Sequence, residues 1–246
     1  VQKTSRKSTK WLLNELIQSR SLVKLENKNK NMRSITKFYC ATFLLLGFFS
    51  CKNNSQTNLP IYGEREAVEK TVDGKKIVDT LYHTIPPFKL LNQDSAMISD
   101  KDFDGKVYVA NFFFTHCPSI CPTMNRNLLK IYQQYKDNDE VRFLSHSIDF
   151  KYDQPYVLKD YANKLGVSNN HWQFVSGTKA EIYSLANQYL VYTAEDKNAP
   201  GGYDHQGYLV LIDKDKRIRG AYDGTNDEQV KKLMNDLPSL LSEARK

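Results

Sequence analysis

Val107-Tyr-Val-Ala-Asn-Phe-Phe-Phe-Thr-His-Cys-Pro-Ser-Ile-Cys-Pro-Thr-Met124 decides the fold of this chain. Val107 to Phe114 is an apolar, aromatic and β-branched run, long enough for one buried strand. From Met124 onward, Met124, Leu128, Ile131 and Tyr135 recur at helical spacing. Pro122 suits the first turn of that helix, where its missing N–H has no partner to lose. Cys117 and Cys121 therefore sit where a buried strand gives way to a helix. The positive end of the helix dipole favours thiolate there, the form that attacks disulfides and binds metals.

The 246 residues are 40% hydrophobic, enough for one well-buried domain plus extensions. The formal charge of +7 is unevenly placed. Residues 1–50 hold ten Lys/Arg and two Asp/Glu, a surplus of +8, and the remaining 25 Lys/Arg and 26 Asp/Glu leave the body at −1. The basic character belongs to the leader, which argues against nucleic acid as a partner. Of the four cysteines, Cys40 and Cys51 fall in or just after the leader, leaving Cys117 and Cys121 for the body. One pair is too few for a disulfide scaffold and suits a redox or metal role.

Met32-Arg-Ser-Ile-Thr-Lys37 followed by the apolar Phe38 to Phe49 has the make-up of a signal peptide over residues 32–50. Met32 is then the expected start, with residues 1–31 an upstream mis-start or a disordered extension. The apolar run is shorter than the ~20 residues of a spanning helix. It closes on Ser50-Cys51, a pattern similar to a bacterial lipoprotein signal, which would make Cys51 the lipidated first residue of a membrane-anchored protein on the periplasmic side. Residues 51–70 are expected as the tether and 71–246 as the folded body.

Along the body, Asp73-Gly74 marks a turn within an N-terminal hairpin, and Ile85-Pro86-Pro87-Phe88 reads as an edge segment. Val141–Ile148 reads as a second buried strand, Gln154–Leu165 as a helix ended by Gly166, and His171–Ser176 as a short strand. Thr178 is placed to cap a helix running to about Leu190, and Tyr192–Asp204 reads as a loop. Gly207–Asp213 and Arg217–Tyr222 read as paired strands, with Thr225 capping a closing helix. Strands alternating with helices predict one α/β fold, a central mixed β-sheet flanked by helices.

Four segments together resemble the Sco (SenC) family of copper chaperones. They are Gly105-Lys106-Val107, Phe112-Phe-Phe-Thr-His-Cys-Pro-Ser-Ile-Cys-Pro122, Ser147-Ile-Asp149 with Asp153, and Tyr203-Asp-His205 before Leu211-Ile-Asp213. The resemblance covers roughly Ile85 to Leu241 and implies a thioredoxin-like fold. It implies a copper ion held by Cys117, Cys121 and His205, and a role in assembling the binuclear copper centre of cytochrome c oxidase. The expected partner is the oxidase's copper-bearing subunit, or another copper or thiol protein. Gln206-Gly207 departs from the family, which usually has Thr or Ser and then an apolar residue after this His.

The donor set suits copper(I), a soft ion selected by thiolates with imidazole as a fitting third ligand. His205 lies 84 residues beyond Cys121, and alone it would be read as a surface loop histidine. The alternative is an enzyme, a thiol–disulfide oxidoreductase cycling through a Cys117–Cys121 disulfide. A peroxiredoxin-type peroxidase fits poorly, because Asn111 stands where its motif needs proline. His116 is expected to point away from Cys117, and His146 to be a core histidine. Asp204 is a candidate to orient His205, whereas Asp149 and Asp153 divide evenly between turn formation and function.

Overall fold

The computed structural model describes residues 59–167 and 169–243. The expected signal peptide, Met32, Cys40 and the lipidation residue Cys51 lie outside the described residues. Eleven strands and four α-helices appear among the described residues. They are β1 (Arg65–Val72), β2 (Lys75–Tyr82), β3 (Lys89–Asn92), β4 (Met97–Ser99), β5 (Val107–Phe113), α1 (Cys121–Tyr135), β6 (Val141–Ser147) and α2 (Pro155–Leu165). Then follow β7 (Trp172–Ser176), α3 (Lys179–Gln188), β8 (Thr193–Glu195), β9 (Tyr203–His205), β10 (Tyr208–Ile212), β11 (Ile218–Asp223) and α4 (Asp227–Glu243).

Seven strands form one mixed sheet in the order β11-β10-β5-β6-β7-β3-β4. β5, β6 and β7 run parallel, and the outer pairs are antiparallel. Every residue of β5 is buried, as a strand covered on both faces must be. On one face Asn111 and Phe113 meet Asn125 of α1 and Tyr161 of α2. On the other, Tyr108 and Phe112 meet Tyr189 at the end of α3. Met124, Leu128 and Ile131 of α1 are fully buried, each contributing about 1.5–3 kcal/mol of apolar burial. The mixed sheet with flanking helices is the thioredoxin-like arrangement expected, with the β1–β2 hairpin turning at Asp73-Gly74 as the N-terminal extension.

Three local expectations are corrected. Tyr192–Asp204 is a β-hairpin rather than plain loop: β8 pairs with β9, setting Thr193 opposite His205. Pro200 and two glycines disguise it, since they populate the turn between two three-residue strands. The closing helix is capped by Asn226, whose Oδ1 accepts from the Glu228 and Gln229 N–H groups. Thr225 instead donates its hydroxyl to Asp223. Ile85–Phe88 belongs to no strand, and the edge there is β4. Elsewhere α2 does end at Gly166, at φ +85°, and Thr178 and Glu181 form a reciprocal capping box on α3.

Candidate metal centre

Cys117, Cys121 and His205 converge, their ligand atoms all lying within 4.8 Å of one another. Cys121 Sγ is 3.3 Å from His205 Nε2, and all three residues are buried. β5 ends at Phe113, and its chain turns through a Cys117 N–H bond to the Phe114 carbonyl before α1 begins at Cys121. On the other side, β10 runs antiparallel to β5 with Val210 opposite Ala110 and Ile212 opposite Tyr108. Continuing that register back along the chain carries His205 level with Thr115, beside the cysteine loop. Three donors from two segments meet because the sheet aligns them.

Two close packings hold the segments together. A Cβ on Gly207 would stand 3.2 Å from Ile120 Cδ1, so the residue that departs from the family pattern is the one that lets the His205 segment press on the cysteine loop. Gly201, at φ +80°, has the Phe114 ring within 2.7 Å of where a Cβ would be. That ring packs edge-on against the imidazole of His205 at 5.7 Å.

The two thiols differ electrostatically. The Cys121 thiol, His205, the Cys121 backbone N–H and Ser119 all stabilise charge on Cys117, holding it down at about 3, with the Cys121 hydrogen bond the largest cause. Donating to that thiolate, and then burial, push Cys121 well above the ordinary thiol range. The helix N-terminus therefore does not activate both cysteines alike, as their position alone suggested. Their surroundings favour charge on Cys117 and disfavour it on Cys121. No disulfide joins them here, so the pair is in its reduced form.

The neighbouring candidates sort differently. His116 turns toward Asp149, with Nε2 3.5 Å from Oδ2, and packs on Phe114 and Tyr152. His146 is fully buried, stacked on Phe112, and burial lowers it to about 4. Its Nε2 has no hydrogen-bond partner, so the core histidine is only half satisfied. Asp204 does not orient the metal-site imidazole, because His205 Nδ1 has no hydrogen-bond partner. Asp149 accepts from the Lys151 and Tyr152 N–H groups, a turn role. Asp153 has a larger one. Fully buried, it accepts from the Thr115 N–H at 3.0 Å, the Thr115 hydroxyl at 2.5 Å and the Ser147 hydroxyl at 2.6 Å, pinning the cysteine loop to the end of β6.

A polar chain that the sequence did not disclose runs beneath the site. Trp172 Nε1 donates to Ser145 Oγ, Ser145 to Asn111 Oδ1, Asn111 Nδ2 to Asn125 Oδ1, and Asn125 Nδ2 to the Tyr161 hydroxyl. It crosses β7, β6, β5, α1 and α2 with every step between 2.6 and 2.9 Å, so these buried groups are satisfied rather than strained. The one available signal was Asn111 itself, an amide inside an apolar strand. Beside the site, a groove of about 540 Å³ is lined by Cys117 and Cys121 together with His116, Tyr152, Arg126 and Tyr161.

A family model described as SCO1/SenC matches residues 79–242. Among solved structures, a SCO1/SenC family lipoprotein from Bacillus anthracis is 27% identical, covering 64% of this chain and 95% of that one, with a TM-score of 0.59. BsSco, described as a Sco-family cytochrome c oxidase assembly protein with a disulfide switch, is 29% identical over 64% of this chain and 93% of its own, with a TM-score of 0.54. ScoI of Bradyrhizobium japonicum, solved with copper bound, is 28% identical over 62% and 98%, with a TM-score of 0.52.

Proposed function

The chain belongs to the SCO1/SenC family, and from that premise we propose that it is a membrane-tethered, copper-binding metallochaperone. It aids assembly of the binuclear copper centre of a cytochrome c oxidase, whose copper-bearing subunit is the recipient. The observation that carries this reading is the convergence of Cys117, Cys121 and His205. Two sulfurs and one imidazole make a soft donor set of the kind that selects copper(I). The surroundings of Cys117 lower its thiol below the ordinary range, which favours the thiolate form that binds a soft metal. Both cysteines line an open groove, which gives a recipient's ligands access to the cargo. The copper-bound ScoI of Bradyrhizobium and the oxidase-assembly role of BsSco support the assignment.

The body stands outside the cytoplasmic membrane on its periplasmic side, anchored by a lipid on Cys51 after removal of residues 32–50, with 51–70 as tether. The signal-like sequence supports this, as does the lipoprotein nature of the Bacillus anthracis relative. Titration of copper(I) into the reduced chain against a competing chelator tests the central claim. Tight one-to-one binding with two sulfurs and one nitrogen around the ion is expected. A chain that takes up no copper from the chelator would overturn it.

The asymmetric thiol pair favours one second reading, thiol–disulfide exchange. The Cys117 thiolate attacks a partner's disulfide and releases one partner thiolate, which takes up a proton. Cys121 then loses its proton and attacks Cys117, freeing the second partner thiol and leaving a Cys117–Cys121 disulfide. On this reading His205→Ala retains turnover.

A further inference from the structure

The groove beside the thiols carries one charge that the copper site does not use. Tyr152, Val157, Tyr161 and Leu165 give it an apolar and aromatic wall, and Arg126 of α1 lines it as well. Its other charges are spoken for: Lys164 pairs with Asp160 at 2.6 Å, and His116 faces Asp149 at 3.5 Å. Arg126 is exposed and has no carboxylate partner among the described residues. Its hydrogen bonds go to its own helix, from Nε to the Pro122 carbonyl at 3.2 Å and from Nη2 to the Thr123 hydroxyl at 3.3 Å. They fold the side chain back over the first turn of α1 and leave the outer N–H groups of the fork without a protein partner. An exposed arginine is ordinarily a solvated cation on a flexible stem. This one is held beside the residue that follows Cys121.

A guanidinium fixed in this way is shaped for a carboxylate, which it takes through two parallel N–H···O bonds. The positive end of the α1 dipole, over which the fork is folded, has the same sign. The ring of Tyr152, 57% exposed, and the apolar wall give a chain laid along the groove something to cover. The geometry points to a docking groove for an extended acidic segment of the copper recipient, with Arg126 as the residue that selects it. This rests on the copper-delivery reading above. Because Pro122 adjoins Cys121, a carboxylate on the fork lies about two extended residues, ~7 Å, from a sulfur presented to the thiols. The recipient's acid is thus a close sequence neighbour of the cysteine that receives the ion. A segment with an amide at that place leaves the fork unpaired, and one with a lysine is repelled.

The full chain with Cys40→Ser and Cys51→Ser keeps Cys117 and Cys121 as its only thiols. Short peptides whose single cysteine carries a thionitrobenzoate disulfide then probe the groove. A thiolate of the pair attacks the peptide sulfur, the S–S bond breaks, and thionitrobenzoate leaves with the electron pair, so its absorbance gives a second-order rate. The probes place aspartate two residues before or after the cysteine, and their twins carry asparagine or lysine there. Each rate is divided by that with free N-acetylcysteine, which removes the probe's own reactivity. At low salt one aspartate probe is expected to react about fivefold faster than its asparagine twin, the upper range for an exposed ion pair. Arg126→Gln should abolish the preference and Arg126→Glu should transfer it to the lysine probe, with the circular dichroism spectrum unchanged. Indifference of the wild type to the acid, or a preference that survives Arg126→Gln, overturns the groove, and normal copper(I) uptake beside it leaves the chaperone standing. A preference in a chain that takes no copper from the chelator overturns the copper recipient and gives the groove to a disulfide-bearing partner. A rate constant that falls with rising concentration of the wild type, and not of Arg126→Gln, gives the fork to a second copy of this chain and overturns the recipient too.

Discussion

Cys121 Sγ and His205 Nε2 lie 3.3 Å apart although the two residues are separated by 84 positions in the sequence, and the rest of the site is arranged around that contact. The imidazole reaches the cysteine loop only because β9 and β10 bring it to the end of β5. Removing the ring leaves the sheet intact. His205→Ala should lower copper(I) affinity by more than about 100-fold, the upper end of what loss of even an outer-shell partner costs. Chelator competition on the reduced protein measures it, with an unchanged circular dichroism spectrum as the control.

The thiols should separate by pH. Because Cys117 is held down at about 3 and Cys121 is pushed up, iodoacetamide at pH 5–6 should label Cys117 alone. An ordinary thiol titrates at about 8.5 and would be mostly unreactive there. Peptide mapping after brief labelling reads the site. Equal labelling of the two cysteines would refute the asymmetry.

Asp153 should matter for stability as well as for the loop. Asp153→Ala strands three donors, from Thr115 and Ser147, and should cost about 2–4 kcal/mol in urea unfolding. Burial raises the carboxyl above its ordinary value of 3.8. A raised acid holds its proton longer in the native state, so its contribution is largest below the unfolded value and falls as pH rises through the folded one. The deficit of the variant should accordingly be greater near pH 3.5 than at pH 7.

Gly201→Ala should damage the metal centre from outside it. The new methyl meets the Phe114 ring and Pro118 and must also adopt φ +80°, for a loss of about 1–3 kcal/mol. Since Phe114 packs on His205, copper affinity should fall along with the melting temperature. A variant that melts early but binds copper normally would show that the ring does not position the imidazole.

Local chemistry made much of the fold legible. An unbroken apolar run in Val107–Phe113, helical spacing from Met124 to Tyr135, and the breaks at Gly166 and Thr178 are all short-range signals, and the elements stand where those signals put them. The β8–β9 hairpin was hidden because its strands have three residues each and no period to read. Asn226 displaced Thr225 as the cap because two adjacent residues could each start the helix, and backbone geometry chose between them.

The sequence by itself determined that a cysteine pair stands at a strand-to-helix junction, and motif resemblance added His205 to it. Tertiary structure alone decided what those side chains do. The groups packed around them separate two like thiols, favouring charge on Cys117 and disfavouring it on Cys121. Sheet register set the imidazole against Cys121, and Asp153 became the anchor of the cysteine loop. Those outcomes depend on which groups meet across the sheet and how much water is left between them, and neither quantity is carried by residues read in order.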